Sequence, residues 1–251
     1  MTKTIMITGA GSGFGRLAAF ELAQRGHHVI ATTETEEQAL ALKAEAPHLR
    51  VEKLDITTSD VEMVHDWKLD VLINNAGAGQ TGPIADVPLD RVRYLFEVNV
   101  FGTMNVTQAV LKEMVARRSG RIIIMSSIAG VLSAPSFGPY SMTKHALEAM
   151  GKALRAELAP LGIDVTLINP GPYLTGFNDA MADSMWEWFN DQSLNGSEAE
   201  LFRIIGDFVT TGQRDPMEVA MRLVELVEAE TTTENNFVPE DIREQLGLAL
   251  T

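Results

Sequence analysis

Seven short apolar, β-prone runs recur along this chain, and helical patterns fill most of the intervals between them. The runs lie at residues 4–8, 28–33, 50–54, 70–74, 121–125, 163–168 and 236–238. Between them, apolar residues recur at the helical period over 14–24, 36–46, 60–65, 89–117, 140–159 and 216–229. A strand that is apolar at nearly every position needs cover on both faces, as in a parallel sheet held between helix layers. Right-handed crossovers turn that alternation into a doubly wound α/β fold. No linker and no solenoid-type repeat interrupts the pattern, so residues 1–251 read as a single domain.

One stretch, residues 173–213, is irregular and rich in aromatics: Trp186, Trp188, Phe189, Phe202 and Phe208. It follows the sixth run, and ligands in such folds bind beyond the carboxyl ends of the strands. It is therefore placed to form a lid or substrate wall. Equally, it reads as a small helical subdomain packing its own rings.

The segment Thr8-Gly9-Ala10-Gly11-Ser12-Gly13-Phe14-Gly15 joins the first strand to the first helix. Glycine permits positive φ and close backbone approach. A helix start offers free N–H groups and the positive end of a dipole to a pyrophosphate. Strand before and helix after is the context that a dinucleotide-binding (Rossmann) site requires. The plainer reading is a structural tight turn, which four glycines in seven residues disfavour.

Tyr140 and Lys144 stand four residues apart, so on a helix they share one face, a turn apart. An ammonium beside a phenol favours the phenolate and is expected to lower the tyrosine from about 10 toward working pH. Ser127, thirteen residues earlier, is placed to hold a substrate oxygen beside the phenol. Alone, the pair also reads as a solvated tyrosine and lysine on a helix surface. Asn99 sits on the apolar stripe of Val92, Phe96, Thr103 and Val106, where a buried amide must find partners. It reads either as a satisfied core asparagine or as a functional one. A local backbone disruption bridged by its side chain would serve both.

With no cysteine in 251 residues, disulfides, thiolate metal sites and cysteine nucleophiles are excluded, and no metal is expected. The net charge of −14 disfavours nucleic acid and anionic membranes as partners. The apolar start Ile5-Met6-Ile7 is too short for a secretory signal, and no apolar run approaches membrane-spanning length. The expectation is a cytoplasmic protein.

Taken together, Gly9, Gly13 and Gly15 in the pattern Thr-Gly-x-x-x-Gly-x-Gly, Asn74-Asn75-Ala76-Gly77, Asn99, Ser127, Tyr140 with Lys144, and Pro170-Gly171 resemble the short-chain dehydrogenase/reductase family. The match runs in order from Thr4 to Thr175. A serine at position 12, where the family's extended branch carries glycine, points away from that branch. Phe14, residues 140–149 and Phe237-Val238-Pro239 look like the branch that includes estradiol and retinol dehydrogenases.

The resemblance implies an enzyme that transfers a hydride between NAD or NADP and a hydrophobic or aromatic secondary alcohol or ketone. It implies Tyr140 as general acid or base, with Lys144 lowering its pKa and holding the nicotinamide ribose. Ser127 would orient the substrate oxygen, and Asn99 would belong to a proton relay. Those roles agree with the chemistry, since hydride addition to a carbonyl carbon requires a proton at its oxygen. For the cofactor, the resemblance implies the loop positions Gly11, Ser12 and Phe14 with the three glycines. It adds Asp55 and Ile56 at the adenine, Asn75, Ala76 and Gly77 along the adenosine side, and Pro170, Gly171 and Thr175 at the nicotinamide. Tyr173 stands where an aliphatic residue is usual.

Selectivity is read at the end of the second strand, where an acid suits the ribose of NAD and basic groups suit the phosphate of NADP. Thr33 occupies the discriminating position and Glu34 follows it, with no lysine or arginine there. NAD is favoured, NADP staying open because threonines bond phosphate and Arg16 lies within reach. A cofactor-binding sensor without turnover, or dehalogenase-like chemistry, are the competing readings. The retained Tyr140, Lys144 and glycine loop oppose them. Apolar stripes on the helices over 89–117 and 140–159 set the expectation of a homodimer or homotetramer, as in relatives that pair these helices.

Overall fold

The computed structural model describes residues 1–245 and 247; the expected domain also takes in 246 and 248–251, which lie outside the described residues. Seven strands form one sheet: β1 Thr4–Ile7, β2 His28–Thr33, β3 Arg50–Lys53, β4 Val71–Asn74, β5 Gly120–Met125, β6 Ile163–Pro170 and β7 Asn235–Val238. Their order is β3-β2-β1-β4-β5-β6-β7, and every neighbouring pair is parallel. The order reverses between β1 and β4, which opens a crevice at their carboxyl ends.

The apolar runs work as expected for a sheet covered on both faces. Ile5, Met6 and Ile7 are all fully buried. Ile5 and Ile7 face one core, with Leu22 of α1 (Gly13–Gln24) and Leu223 of α8 (Met217–Glu228). Met6 faces the other, with Val106 of α4 (Thr103–Arg117) and Leu147 of α5 (Gly138–Leu158). Each such side chain contributes about 1.5–3 kcal/mol by leaving water. The remaining described helices are α2 Glu36–Glu45, α3 Leu89–Phe96, α6 Phe177–Asp183, α7 Ala199–Thr210 and α9 Ile242–Gln245.

Three details depart from the periodicity. The helix expected over 60–65 is a 3-10 helix, Ser59–Trp67. The helix expected from residue 140 starts at Gly138, with Pro139 in its first turn, where a missing N–H costs nothing. Most informative, the single helix expected over 89–117 is broken by a π-helical turn, Glu97–Gly102, between α3 and α4. Asn99 sits in that turn. Its Oδ1 accepts from the Ala78 N–H (2.7 Å), and its Nδ2 donates to the Ala78 carbonyl (2.9 Å) and to Thr143 Oγ1 (3.0 Å). The disruption therefore aims a buried amide at the loop after β4, and every bond it makes there is worth about 1 kcal/mol net.

Residues 173–213 hold α6, a 3-10 turn Ser184–Glu187, a second one Gly196–Glu198, and α7. Phe189 meets Trp186, Trp188 and Phe202 edge-on at 5.9, 5.9 and 5.6 Å. The same stretch also turns Phe177, Met181, Ile205 and Val209 toward a cavity.

Candidate active site

A cavity of about 680 Å³ lies at the carboxyl ends of the strands. The glycine loop after β1 forms one rim, and the loop after β4 lies beside it. Thr8 Oγ1 accepts from the N–H groups of Asn75 and Ala76 (both 3.0 Å), while Asn75 Nδ2 donates to the carbonyls of Thr8 and Gly9 (2.9 and 3.0 Å). Gly9 has φ +63°, and a Cβ there would stand 2.8 Å from Ala76 Cα. The two loops thus touch backbone to backbone, which only glycine permits.

Most of the residues singled out from the sequence border this cavity: Gly9, Gly11, Ser12, Gly13 and Phe14; Glu34; Asp55 and Ile56; Asn75, Ala76 and Gly77; Ser127, Tyr140 and Lys144; Pro170, Gly171, Tyr173 and Thr175. Three do not, and each has a physical reason. Gly15 lies behind the loop, where a side chain would run into the Asn75 amide. Thr33 is buried, and its hydroxyl donates to the Thr35 carbonyl (3.1 Å) instead of facing the cavity. Asn99 is fully buried and bonded to Ala78 and Thr143, and its side chain hydrogen-bonds neither Tyr140 nor Lys144. Its link to Tyr140 runs through Thr143, whose Oγ1 in turn donates to the Tyr140 carbonyl (2.8 Å).

Tyr140 and Lys144 share the inner face of α5 and are both buried. The Lys144 Nζ stands 5.5 Å from the Tyr140 ring centroid and donates to the Met125 carbonyl at the end of β5 (2.8 Å). Ser127 follows β5; its hydroxyl accepts from the Ala129 N–H (3.1 Å) and lies near the Tyr140 phenol. Burial pushes the phenol above its ordinary value, and the nearby Ser127 hydroxyl only opposes this. The expected lowering of Tyr140 by Lys144 is thus corrected: desolvation wins. Burial also lowers Lys144, to about 8, with Glu148 acting against the fall.

At the other end of the cavity the wall carries Glu34, Asp55, Gln38 and Tyr94. Asp55 Oδ1 accepts from the N–H and hydroxyl of Thr57 (2.9 and 2.7 Å). Arg16 is not part of this wall. It is paired with Glu45 and lies 4.8 Å over the Phe20 ring. Tyr173 packs edge-on against Phe14 at 5.6 Å and donates its hydroxyl to Glu218 (2.9 Å), so it supports the loop as much as it faces the cavity.

The residues present fit a dinucleotide. The volume lies in the range of cofactor sites. The twelve-residue helix α1 begins without a side-chain cap and without an acid in its first turn, so its N–H groups are open to an anion. Gly13, at φ +54°, leaves the space before Thr175 open, where a Cβ would stand 3.4 Å from Thr175 Cβ. Ser126 and Ser141 border the cavity, and their buried hydroxyls have no hydrogen-bond partner among the described residues.

Sequence reasoning missed Gln38, Tyr94, Asn169 and Glu148. Gln38 carried one local signal, its place three residues after Thr35 in a capping box. Glu148 carried another, one turn after Lys144.

Residues 3–186 match the family described as short chain dehydrogenase. The chain is 42% identical over 185 residues to the oxidoreductase YusZ of Bacillus subtilis strain 168, covering 69% of this chain and 66% of that protein. It is 38% identical over 186 residues to the NADPH-dependent 3-dehydrocapnine reductase of Ornithobacterium rhinotracheale, covering 68% and 65%. The match thus spans slightly less than two thirds of either relative's length. Among solved structures, a short chain dehydrogenase/reductase from Burkholderia phymatum in complex with NAD is similar, with TM-score 0.82 and 25% identity over 98% of this chain and 92% of that one.

Proposed function

Since the chain belongs to the short-chain dehydrogenase family, we propose that it interconverts a hydrophobic secondary alcohol and its ketone with NAD or NADP, and that Tyr140 moves the proton. The observation that carries this reading is the Ser127–Tyr140–Lys144 arrangement, buried at one end of a cavity whose other end suits an adenosine. When bound, the nicotinamide supplies the hydride in reduction and takes it in oxidation. The chain's residues do the rest. Burial keeps the Tyr140 phenol protonated at neutral pH, which suits it to give its proton to a carbonyl oxygen. Ser127 adds a second hydrogen bond to that oxygen as negative charge develops. Lys144 uses one N–H on Met125 and keeps two for the ribose and for the phenol.

A protonated phenol favours the direction of ketone reduction, in keeping with a relative named for a reductase activity. The wall beyond Tyr140 is apolar, built by Leu132, Phe137, Phe177, Met181, Ile205 and Val209. The charged lining residues, Glu34, Asp55 and Lys144, all lie on the cofactor side or at the catalytic turn. A hydrophobic substrate body follows, with residues 173–213 as its lid. Glu34 at the ribose end, with Arg16 occupied by Glu45, favours NAD over NADP. Phe101, Met104 and Met142 are apolar and exposed on the π turn, α4 and α5, and we assign that face to pairing with a second copy. The test of the reaction is Tyr140→Phe against a panel of hydrophobic ketones. Turnover should fall at least about 1,000-fold while NADH binding, read by cofactor fluorescence, persists. Retained turnover would overturn the role of Tyr140.

A further inference from the structure

Glu148 is a buried carboxylate with no role in the chemistry above. It lies one turn beyond Lys144 on α5, and both of its oxygens are taken. Oε1 accepts from Asn169 Nδ2 (2.6 Å), and Oε2 accepts from Asn235 Nδ2 (2.7 Å). The two amides also meet, Asn235 Nδ2 donating to Asn169 Oδ1 (3.1 Å). Asn169 is itself fully buried and donates onward to the Ser127 carbonyl (3.2 Å). One carboxylate thus joins β6, β7 and Ser127, two residues beyond β5, to the helix that carries Tyr140 and Lys144. The fit is close. A Cβ on Gly130, in the turn after Ser127, would stand 3.0 Å from Glu148 Cγ and 3.1 Å from the Lys144 carbonyl oxygen.

We propose that Glu148 is a positioning residue: its carboxylate fixes Ser127 through Asn169 and is the buried counter-charge one turn from Lys144. The lysine and serine roles rest on the function proposed above; the charge relation does not.

The alternative is a carboxylate that only fastens β7 to the sheet. Charge separates the two. A buried carboxylate held by two neutral amides is costly unless a cation lies near. Among the described residues, the groups that face Glu148 from β5, β6 and β7 are the uncharged Ser127, Asn169 and Asn235. On its own helix, Tyr140 is held neutral, and Lys152 is exposed and within 4.0 Å of Glu234. Arg155 is bonded to Asp164 (3.0 Å). Arg121 of β5 is buried but paired with Asp164 (2.9 Å), which leaves Lys144 as the buried cation on the same helix. Burial draws that lysine down to about 8 and Glu148 opposes the fall, so removing the carboxylate should let it drop further.

The test is the side-chain titration of Lys144 by NMR in the full chain, assigned by its loss in Lys144→Arg. In Glu148→Gln, which keeps the size but not the charge, the midpoint should fall by at least about one pH unit. An unchanged midpoint overturns the proposal. Should the glutamine variant fail to fold, Glu148→Asp keeps the charge on a shorter stem. Its lysine midpoint should stay within about half a unit of wild type, and a fall of a full unit overturns the proposal. The titration needs no turnover, so its failure is distinct from failure of the functional reading, which shows as a wild-type protein inert toward ketones. With an active wild type, the alkaline limb of kcat for Glu148→Gln should move to lower pH with the lysine. A profile lowered in height but unmoved would mark a merely structural role.

Discussion

Replacing Lys144 by methionine converts the electrostatics of the site into a folding measurement. Burial takes the lysine from 10.5 to about 8, a gap of about 2.5 pH units, and only 4% of the residue is exposed, so solvent screens little of it. At about 1.4 kcal/mol per unit, the folded chain carries a cost of about 3 kcal/mol at pH 7 for keeping this group. Between about pH 8 and 10.5 the unfolded chain holds a proton that the folded chain has released. Rising pH therefore stabilises the wild type across that window; the cost is complete below it and gone above it. The methionine variant has no such proton. The unfolding free energy of wild type minus that of Lys144→Met should climb by about 2 kcal/mol from pH 7.5 to 10. Urea titrations of both proteins at each pH give the difference, in which other titrating groups cancel. Tyr140 does not intrude, because its phenol is pushed above its ordinary value and out of the range. The slope is a better readout than the offset at pH 7. The variant also loses the bond from Nζ to the Met125 carbonyl, which acts in the opposite sense by about 1.5–3 kcal/mol. A difference that stays flat, or falls with pH, refutes a buried lysine drawn down to about 8.

Two further outcomes follow from the walls of the cavity. Glu34→Arg places a cation where the ribose end is acidic, and the ratio of kcat/KM for NADPH to that for NADH should rise about tenfold or more; an unchanged ratio would remove Glu34 from cofactor selection. The exposed Phe101, Met104 and Met142 should be covered in solution, so sedimentation velocity should find a dimer or tetramer, and a stable monomer at micromolar concentration refutes that assignment.

The sheet was legible because burial on both faces leaves a local trace. Ile5-Met6-Ile7 and Arg121 to Met125 are apolar at almost every position, and that continuity needs no knowledge of which helix supplies the cover. The π turn was half legible. An asparagine on the stripe of α3 and α4 announced that something must bond it, but the partner, Ala78, is 21 residues away, and only the assembled fold shows that a wider turn aims the amide there. Residues 173–213 were least legible. Their aromatic rings carry no period, and the same residues pack on one another and on the cavity.

Within the site, local chemistry and global burial gave opposite signs for one group. Four residues of spacing put an ammonium within 5.5 Å of the Tyr140 ring, and neighbours alone argue for an easier phenolate. Desolvation is set instead by everything that covers α5, including Phe177 at 5.9 Å from the tyrosine ring, and none of that is written near position 140. It raises the phenol and lowers the lysine together. The consequence is functional. A phenol held protonated is ready to give its proton, and what the site must supply is compensation as the proton leaves. Ser127 and Lys144 stand where that charge would appear, and both are fixed from behind by carbonyls and amides of β5 and β6. In the proposed reaction, proton donation would therefore be a property of the whole turn of α5 and its backing strands, more than of the two residues whose spacing first draws the eye.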